Sequence, residues 1–434
     1  MKQLTRLFIP ICLETLFYML SGMVDTLMLS AVGDYAVGAV GTANSYIGIF
    51  IIMFSIISSG MVSVMTQNIG AGRPGVAYQA RQLGLLFNAV AGVLMAVFLF
   101  SGAGAILRMV GIADALYEPA LIYLKIVGGG CILNAVIPIF SSYLRAFGYT
   151  KQPLYATIVG NIANFVMNAV FLFVLHKGVA GVAAATVISK ILNLCIVLYF
   201  SHKLISAKTS TERIANKTVL GQIVKVGLPS ACETALYNVA MMLVIRFLNQ
   251  MDAEGLNVTA RSYTATISNF SYCVGAALAQ ANAIMTGWHI GAGELEECDR
   301  GTKRAAFVGV CVAVCMETAI VLGSGFIMPL FTDNPEMTAL VRKLLAIDIV
   351  LEIGRVTNLV FGQALKTSGD AVFPAVIAAV FMFVFAVGGT WLFGISMGLM
   401  AVGAYIGLAS DECVRAVGMV WRWKTGKWRT KKLV

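Results

Sequence analysis

Residues Pro10–Tyr18, PICLETLFY, and Pro229–Tyr237, PSACETALY, share a proline, a Glu-Thr pair and a tyrosine at identical spacing. The pattern P-x3-E-T-x2-Y therefore occurs twice, 219 positions apart. The motif IGAG also occurs twice, at Ile69–Gly72 and at Ile290–Gly293. A third match, at the same offset as the second, relates Arg145, Gly148 and Pro153 to Lys366, Gly369 and Pro374. Three matches in the same order predict that the chain consists of two similar halves.

The composition is that of a membrane protein. Hydrophobic residues make up 59% of the 434 positions and charged residues 12%, whereas soluble domains contain about 25% charged residues. Uncharged apolar stretches such as 83–107 and 371–393 are long enough to cross a hydrocarbon core of about 30 Å as helices. They lack the alternating pattern of a transmembrane barrel, so we expect an all-α polytopic membrane protein.

Glycines, prolines and charge clusters divide the apolar sequence into 12 predicted transmembrane helices, six in each half. They are predicted at 7–30, 36–66, 82–107, 116–144, 153–175 and 179–202, and then at 219–249, 257–288, 305–329, 337–365, 371–394 and 398–421. With the N-terminus inside the cell, most basic residues fall in inner segments, and the outer segments hold Arg108, Lys177, Arg342 and Lys343. Because cytoplasmic loops are enriched in Lys and Arg, we expect a multi-pass protein of the cell (inner) membrane with both termini cytoplasmic.

The repeat and the spans define four predicted regions. These are an N-lobe over 1–202, a cytoplasmic linker over 203–225, a C-lobe over 226–421 and a basic cytoplasmic tail over 422–434. Six spans per half give both halves the same orientation, so we expect two parallel six-helix repeats around a central cavity, which is a transporter architecture. We expect the tail to lie against anionic lipid headgroups, and the protein to be a monomer.

Several short motifs, taken in order, resemble the multidrug and toxic compound extrusion (MATE) family. They are Pro10 with Val24–Thr26 in span 1, the two IGAG motifs, Gly181–Thr186 at the start of span 6, and Ser368–Asp370 after span 10. The resemblance covers almost the whole chain. It implies a secondary active antiporter that exports small organic, often cationic, compounds by alternating access in exchange for Na⁺ or H⁺, with no other cofactor.

Asp25 in span 1 is the main candidate for cation coupling, because a carboxylate within a span costs about 2.5–3.5 kcal/mol to insert. Around such an acid the resemblance places an Asn and an Asp one turn apart in span 5, and a Thr in span 6. In this sequence those positions are Asn164, Asn168 and Thr186. Asn168 therefore stands where the family more commonly has Asp. Asp25 and these three residues together offer oxygen ligands for Na⁺, whereas binding of H⁺ needs only Asp25. The sequence is therefore consistent with either coupling ion. Interhelical hydrogen bonding is the alternative role for the two Asn.

The C-lobe contains a second set of intramembrane charges. Glu233 in span 7, and Glu352 with Arg355 in span 10, are candidates for contact with the cation or the substrate. A static ion pair that holds spans 10 and 7 together is the alternative for Glu352. Its partner in that pair is Arg355, Arg246 or Arg261.

Further polar and aromatic residues have less specific predicted roles. Candidates for the lining of a cavity that suits flat cations are Tyr18, Tyr46, Tyr237, Tyr263 and Tyr272, with Met241 and Met242, although core packing is the alternative. Glu14, the repeat counterpart of Glu233, is expected to make a helix-terminal or inter-lobe polar contact.

Other classes of function are less consistent with the sequence. A flippase for lipid-linked precursors, from the same superfamily, is the nearest alternative, because several basic residues lie in apolar stretches, namely Lys125, Lys190, Arg246, Arg261, Arg355 and Arg415. An enzyme is not expected, since no H-E-x-x-H motif occurs, and the lack of a P-loop argues against ATP as a partner. The net charge of +10 is not clustered on a soluble module, so nucleic acid is not an expected partner. The expected partners are small organic substrates and the lipid bilayer.

Overall fold

The structure, a computed structural model, describes residues 2–205, 212–252 and 254–434, and these residues form helices joined by short loops, with no strand among them. The chain divides into two compact units. The N-terminal unit is Ile9–Gly227, and the C-terminal unit is Leu228–Val434 together with the residues through Phe8. The predicted all-α fold is therefore confirmed.

Thirteen α-helices account for most of the described residues. The first seven are α1 (Lys2–Ser30), α2 (Asp34–Gly70), α3 (Pro74–Val110), α4 (Asp114–Gly129), α5 (Cys131–Ala146), α6 (Lys151–Ala169) and α7 (Gly178–Ile205). The others are α8 (Asn216–Met251), α9 (Leu256–Ala292), α10 (Leu295–Ile327), α11 (Pro335–Ser368), α12 (Val372–Phe381) and α13 (Met400–Lys424). Helix α6 is extended by a π-helical turn, Val170–Val174, and α12 by two, Met382–Val387 and Thr390–Ser396.

These helices correspond to the 12 predicted spans. Among the described residues, eight helices are long and apolar enough to cross a membrane, and α4 and α5, which meet at an angle of 42°, act together as a ninth. Consecutive glycines, Gly128 to Gly130, lie at this bend. The remaining three, α9, α11 and α13, have 37, 34 and 25 residues but carry more polar side chains, many of them buried. Membrane proteins bury such polar residues inside the bundle, away from lipid.

The two halves adopt the same backbone conformation at the repeated motifs. Gly72 and Gly293, the last residues of the two IGAG motifs, have φ of 74° and 79°. Gly148 and Gly369, from the third sequence match, have φ of 84° and 98°. Left-handed glycines commonly end helices because they lack a Cβ atom. The repeated glycines therefore mark equivalent helix ends in each half.

The segments on both sides of the predicted linker, and the predicted tail, are more ordered than the sequence indicated. Within 203–225, α7 continues to Ile205 and α8 begins at Asn216, while residues 206–211 lie outside the described residues. Helices extend beyond the apolar stretches because polar residues at a membrane surface can continue the same backbone hydrogen bonds.

The tail folds back on the C-terminal unit. The rings of Trp423 and Trp428 stack with centroids 4.2 Å apart, and both side chains are buried. Arg422 contacts Asp370 over 2.7 Å, and Arg429 contacts Glu296 over 2.8 Å. Part of the basic tail is therefore paired with acidic residues of the same unit, which leaves fewer of its charges for the predicted contact with lipid headgroups.

Candidate functional site

Asp25 of α1 lies against α6 in the N-terminal unit. The amide nitrogen Nδ2 of Asn168 donates to Oδ1 of Asp25 over 2.8 Å and to Oδ1 of Asn164 over 3.1 Å. Asn164 and Asn168 are both buried, and their spacing of one turn places them on the same face of α6. The structure thus brings these three predicted coupling residues into one hydrogen-bonded group.

Thr186, the fourth predicted coupling residue, is connected to this group through a tyrosine. The hydroxyl of Thr186 donates to the carbonyl oxygen of Val182 over 2.9 Å, and it also interacts with the hydroxyl of Tyr123. Tyr123 of α4 interacts in turn with the side chain of Asn44 and with the charge of Asp25. Sequence reasoning did not identify Tyr123, since tyrosines are common in membrane helices and no local pattern distinguishes this one.

Lys190 of α7 is a further member of the site that the sequence did not assign to it. Its ammonium group donates to Oδ1 of Asn134 over 2.8 Å, and its charge interacts with that of Asp25. The sequence identified Lys190 only as a basic residue in an apolar stretch. A charged residue inside a span usually has a partner there, and applying this rule to Lys190 and Asp25 together would have predicted the pair.

The groups that face Asp25 are a hydrogen-bond donor and a positive charge. Asn168 presents its amide nitrogen to Asp25, and its Oδ1 is buried without a hydrogen-bond partner. The Thr186 hydroxyl donates to its own helix, and Lys190 places a positive charge near the carboxylate. Na⁺ requires several oxygen ligands around it, and the Asn168 amide would have to rotate before its oxygen could be one of them. A proton requires only the carboxylate of Asp25.

Each unit has an ion pair between equivalent helices of the repeat. In the N-terminal unit, Arg145 contacts Glu14 over 2.6 Å, and in the C-terminal unit, Lys366 contacts Glu233 over 2.7 Å. All four side chains are mostly buried. Glu14 was expected to make a helix-terminal or an inter-lobe contact; instead it lies well inside α1, which begins at Lys2, and its partner Arg145 belongs to the same unit. The sequence contained the signal, since both acids and both bases are repeat counterparts.

A second charged network joins α11 to α13 in the C-terminal unit. Arg355 forms an ion pair with Glu352 and lies 3.8 Å from Glu412. Arg415 contacts both Glu412 and Asp411 over 2.7 Å. Arg355 is therefore the partner of Glu352, as one of the predicted alternatives had it, and the ion pairs continue to α13 in span 12, where the charge of Arg415 also interacts with that of Glu233 in span 7.

The close approach of α11 and α13 explains this pairing. A Cβ atom at Gly354 would lie 2.7 Å from the backbone nitrogen of Cys413, so the two backbones are in direct contact there. Glu352 and Arg355 flank this glycine on α11, and Glu412 is next to Cys413 on α13. The other predicted partners do not take this role, since Arg246 is exposed and the guanidinium of Arg261 contacts the sulfur of Met241.

A cavity of about 410 Å³ opens beside this network within the C-terminal unit. Its lining includes the charged residues Glu233, Arg261, Asp348, Arg355, Glu412 and Arg415, together with Tyr237, Tyr272, Tyr405, Met241 and Met382. Of the predicted cavity residues, Tyr237, Tyr272 and Met241 line this space, whereas the Tyr263 ring packs on Phe331 and Met242 is exposed. Tyr18 is 73% exposed, and Tyr46 packs against the apolar core of the N-terminal unit.

The chain matches the sequence profile of the MatE family twice, over residues 10–170 and 229–392. Each match begins at the proline of a P-x3-E-T-x2-Y motif. An uncharacterized transporter from Bacillus subtilis (strain 168), YisQ, is 32% identical over 97% of this chain and 94% of its own length. A probable multidrug resistance protein from Thermotoga maritima, NorM, is 20% identical over 100% of this chain and 94% of its own length.

Solved structures with the same fold include a crystal structure of MATE in the straight conformation, with a TM-score of 0.87 and 21% identity over 99% of this chain and 97% of that one. A multidrug resistance MATE family transporter of the MOP superfamily, in an outward-facing conformation, gives a TM-score of 0.84 and is 21% identical. The match covers 98% of this chain and 96% of that one. A MOP superfamily transporter from Pyrococcus furiosus, described as having a binding pocket of reverse polarity, gives a TM-score of 0.84 and is 20% identical. The match covers 99% of this chain and 96% of that one.

Proposed function

This chain belongs to the MatE family of multi-pass membrane transporters, and from that premise we propose that it is a secondary active antiporter for small organic, often cationic, compounds. The relative from Thermotoga maritima that is described as a probable multidrug resistance protein supports export as the direction of transport. The exchange ion in this proposal is Na⁺ or H⁺, and the side chains around Asp25 favour H⁺.

The observation that carries the proposal is the contact between Asp25 and Asn168. Asp25 lies in an apolar helix, where a carboxylate costs about 2.5–3.5 kcal/mol. Asn168 donates to it and keeps a buried amide oxygen without a partner. An amide offers donors from its nitrogen and acceptors from its oxygen. Rotation of the Asn168 amide therefore lets the same residue donate to the ionised form of Asp25 and accept from the protonated form.

The proposed exchange uses this pair as a two-state element. When Asp25 is ionised, Asn168 and Lys190 stabilise its charge. When Asp25 binds a proton, its attraction for Lys190 is lost, and its hydrogen bond with Asn168 of α6 has to rearrange. An ion shifts a conformational equilibrium only through a difference in its affinity for the two states. The loss of this attraction supplies such a difference.

The cavity of the C-terminal unit is the proposed site for part of the substrate. Its volume of about 410 Å³ lies within the range of roughly 300–1,000 Å³ typical of small-molecule sites. Tyrosine rings bind cations and flat molecules through their faces, and methionine side chains adapt to varied shapes. Tyr237, Tyr272 and Met241 line the cavity and support a broad substrate range.

A flippase for anionic lipid-linked precursors stays the second candidate, because Arg261, Arg355 and Arg415 line the same cavity. Arg355 and Arg415 are each paired with carboxylates, which reduces their attraction for an anionic headgroup. Arg261, which has no carboxylate partner among the described ion pairs, is then the main feature in favour of this function.

We further propose that the protein acts as a monomer in the cell membrane with both termini in the cytoplasm. The distribution of Lys and Arg supports this orientation, since basic residues concentrate in the segments assigned to the inside.

Transport into vesicles under separate gradients tests the proposed function. Purified protein in liposomes should exchange a fluorescent cationic dye against an imposed pH gradient, with little response to a Na⁺ gradient at equal pH on both sides. Collapse of the pH gradient by a protonophore should stop the exchange. Equal dye movement with and without any ion gradient would contradict antiport, and movement of a labelled lipid without dye exchange would favour the flippase.

A further inference from the structure

A second cavity of the C-terminal unit, with a volume of about 750 Å³, opens between the last turns of α10 and the first turns of α11. Helix α10 begins beside the basic tail, where Glu296 contacts Arg429, and its 33 residues carry the chain roughly 50 Å to the other end of the unit. The cavity lies at that far end. Its lining contains two basic residues, Arg342 and Lys343, and one acid, Asp333. No residue lines both this cavity and the one beside the charged network.

The two basic side chains of this cavity are not neutralised by the protein. Arg342 and Lys343 have no carboxylate partner among the described ion pairs, and both are exposed. Neighbouring positions on a helix point about 100° apart, so the two charges border the cavity from different directions. With Asp333, the described lining carries one more positive charge than negative. The cavity therefore attracts a ligand with a single negative charge.

The surface that leads from the cavity towards the middle of the helices is apolar and exposed. On α11, the face of Arg342 continues with Ala346, Val350 and Ile353, and all three are exposed. Residues three or four positions apart share a helix face. On α10, Leu322 and Phe326 are 72% and 88% exposed. In a membrane-spanning helix, an exposed apolar face of this kind contacts lipid chains.

The order of these groups along α11 matches that of an anionic phospholipid. Positive charges lie where the apolar, lipid-facing surface ends, which is the level at which basic side chains meet lipid headgroups. A free anion such as phosphate has no apolar part for the face formed by Ala346, Val350 and Ile353. A zwitterionic lipid would bring an ammonium group to a lining that already has an excess of positive charge. A phospholipid with one net negative charge satisfies both the charged and the apolar part of the surface.

We propose that this cavity binds one anionic phospholipid of the phosphatidylglycerol class. The phosphate lies between Arg342 and Lys343, and the acyl chains lie along the exposed apolar faces of α10 and α11. A guanidinium can donate two parallel hydrogen bonds to a phosphate, and the lysine ammonium adds a second positive charge. In the proposed orientation of the chain, the lipid belongs to the outer leaflet. Its binding depends neither on that orientation nor on the proposed transport.

Native mass spectrometry of the full chain in a neutral detergent, titrated with phosphatidylglycerol, tests this site. The wild type should bind one lipid molecule about tenfold or more tightly than the following ones, and more tightly than phosphatidylcholine. Arg342→Gln with Lys343→Gln should lose the tight binding event. Arg108→Gln with Lys177→Gln is the matched control, because it removes the other two basic residues of the predicted outer segments, both exposed. This control should retain the tight event.

Two further variants test the position of the lipid without a loss of charge. Arg342→Lys with Lys343→Arg keeps both charges and should retain the tight event, whereas Ala339→Trp fills the cavity from an exposed position of α11 and should lose it. Thermal unfolding in detergent without lipid should be the same for all variants. Tight binding that survives the loss of both charges or the filling of the cavity would overturn the site. Equal affinity for phosphatidylcholine, or displacement of the lipid by excess inorganic phosphate, would overturn the assignment to an anionic phospholipid.

Discussion

Replacement of Asp25 by Asn is expected to reduce gradient-driven efflux to the background level while the protein still inserts and folds. The amide retains the shape of the carboxyl and can exchange hydrogen bonds with Asn168, but it can neither bind nor release a proton. Removal of a carboxylate from an apolar helix should also spare about 2.5–3.5 kcal/mol of insertion cost. The measurement is dye efflux from liposomes under an imposed pH gradient, with thermal unfolding in detergent alongside.

Two further variants serve as comparisons for Asp25→Asn. Asn164→Ala removes a neutral partner of Asn168 and should weaken coupling less than Asp25→Asn. Asp114→Asn, at an exposed acid in the first turn of α4, should leave efflux unchanged. Full efflux by Asp25→Asn would remove Asp25 from the mechanism and transfer its role to the acids of the C-terminal unit.

Arg355→Met is expected to be the most destabilising single substitution in the charged network of the C-terminal unit. It removes the basic partner of Glu352 and leaves Glu412 with Arg415 alone. Removing one member of a buried ion pair typically costs about 3–5 kcal/mol, because the other charge stays buried without compensation. The loss should appear as a lower thermal unfolding midpoint in detergent, monitored by the exposure of buried cysteines such as Cys273 and Cys298.

A double variant separates the loss of charge balance from the loss of packing. Glu352→Met with Arg355→Met removes both charges and should recover most of the stability, since apolar replacements of whole buried pairs are often neutral. Arg355→Lys, which keeps the charge, should be the mildest of the three. If Arg355→Met unfolds at the wild-type temperature, the network contributes little to stability, and a purely functional role for Arg355 would be favoured.

The fold was predictable because its signals are local and repeated. Apolar stretches of span length predicted the 12 spans, and the motifs around Pro10 and Pro229 predicted the two halves. The helices extend beyond the predicted spans. Helix α10, for example, begins at Leu295, whereas the predicted span began at 305. Hydropathy detects the apolar part of a helix, whereas its polar end follows backbone hydrogen bonding that hydropathy does not measure.

The partners of the site residues were easiest to predict where one helix contains both of them. Glu352 and Arg355 are three positions apart on α11, so their pairing could be anticipated from sequence. Lys190 approaches Asp25 from a different helix, and no spacing in the chain relates the two. Glu317 was within a predicted span, and the rule that flagged Asp25 as an intramembrane acid applies equally to it. Its complete burial, however, is a property of the folded unit alone.

The affinity of the purified protein for a cationic dye, measured against pH and against Na⁺ concentration, tests the coupling through Asp25 most directly. Coupling between two ligands is reciprocal, so an ion that is exchanged for the substrate must weaken its binding. We expect the wild type to lose affinity as the proton concentration rises, with little response to Na⁺. Asp25→Asn should lose this dependence. The same dependence in Asp25→Asn as in the wild type would contradict the account.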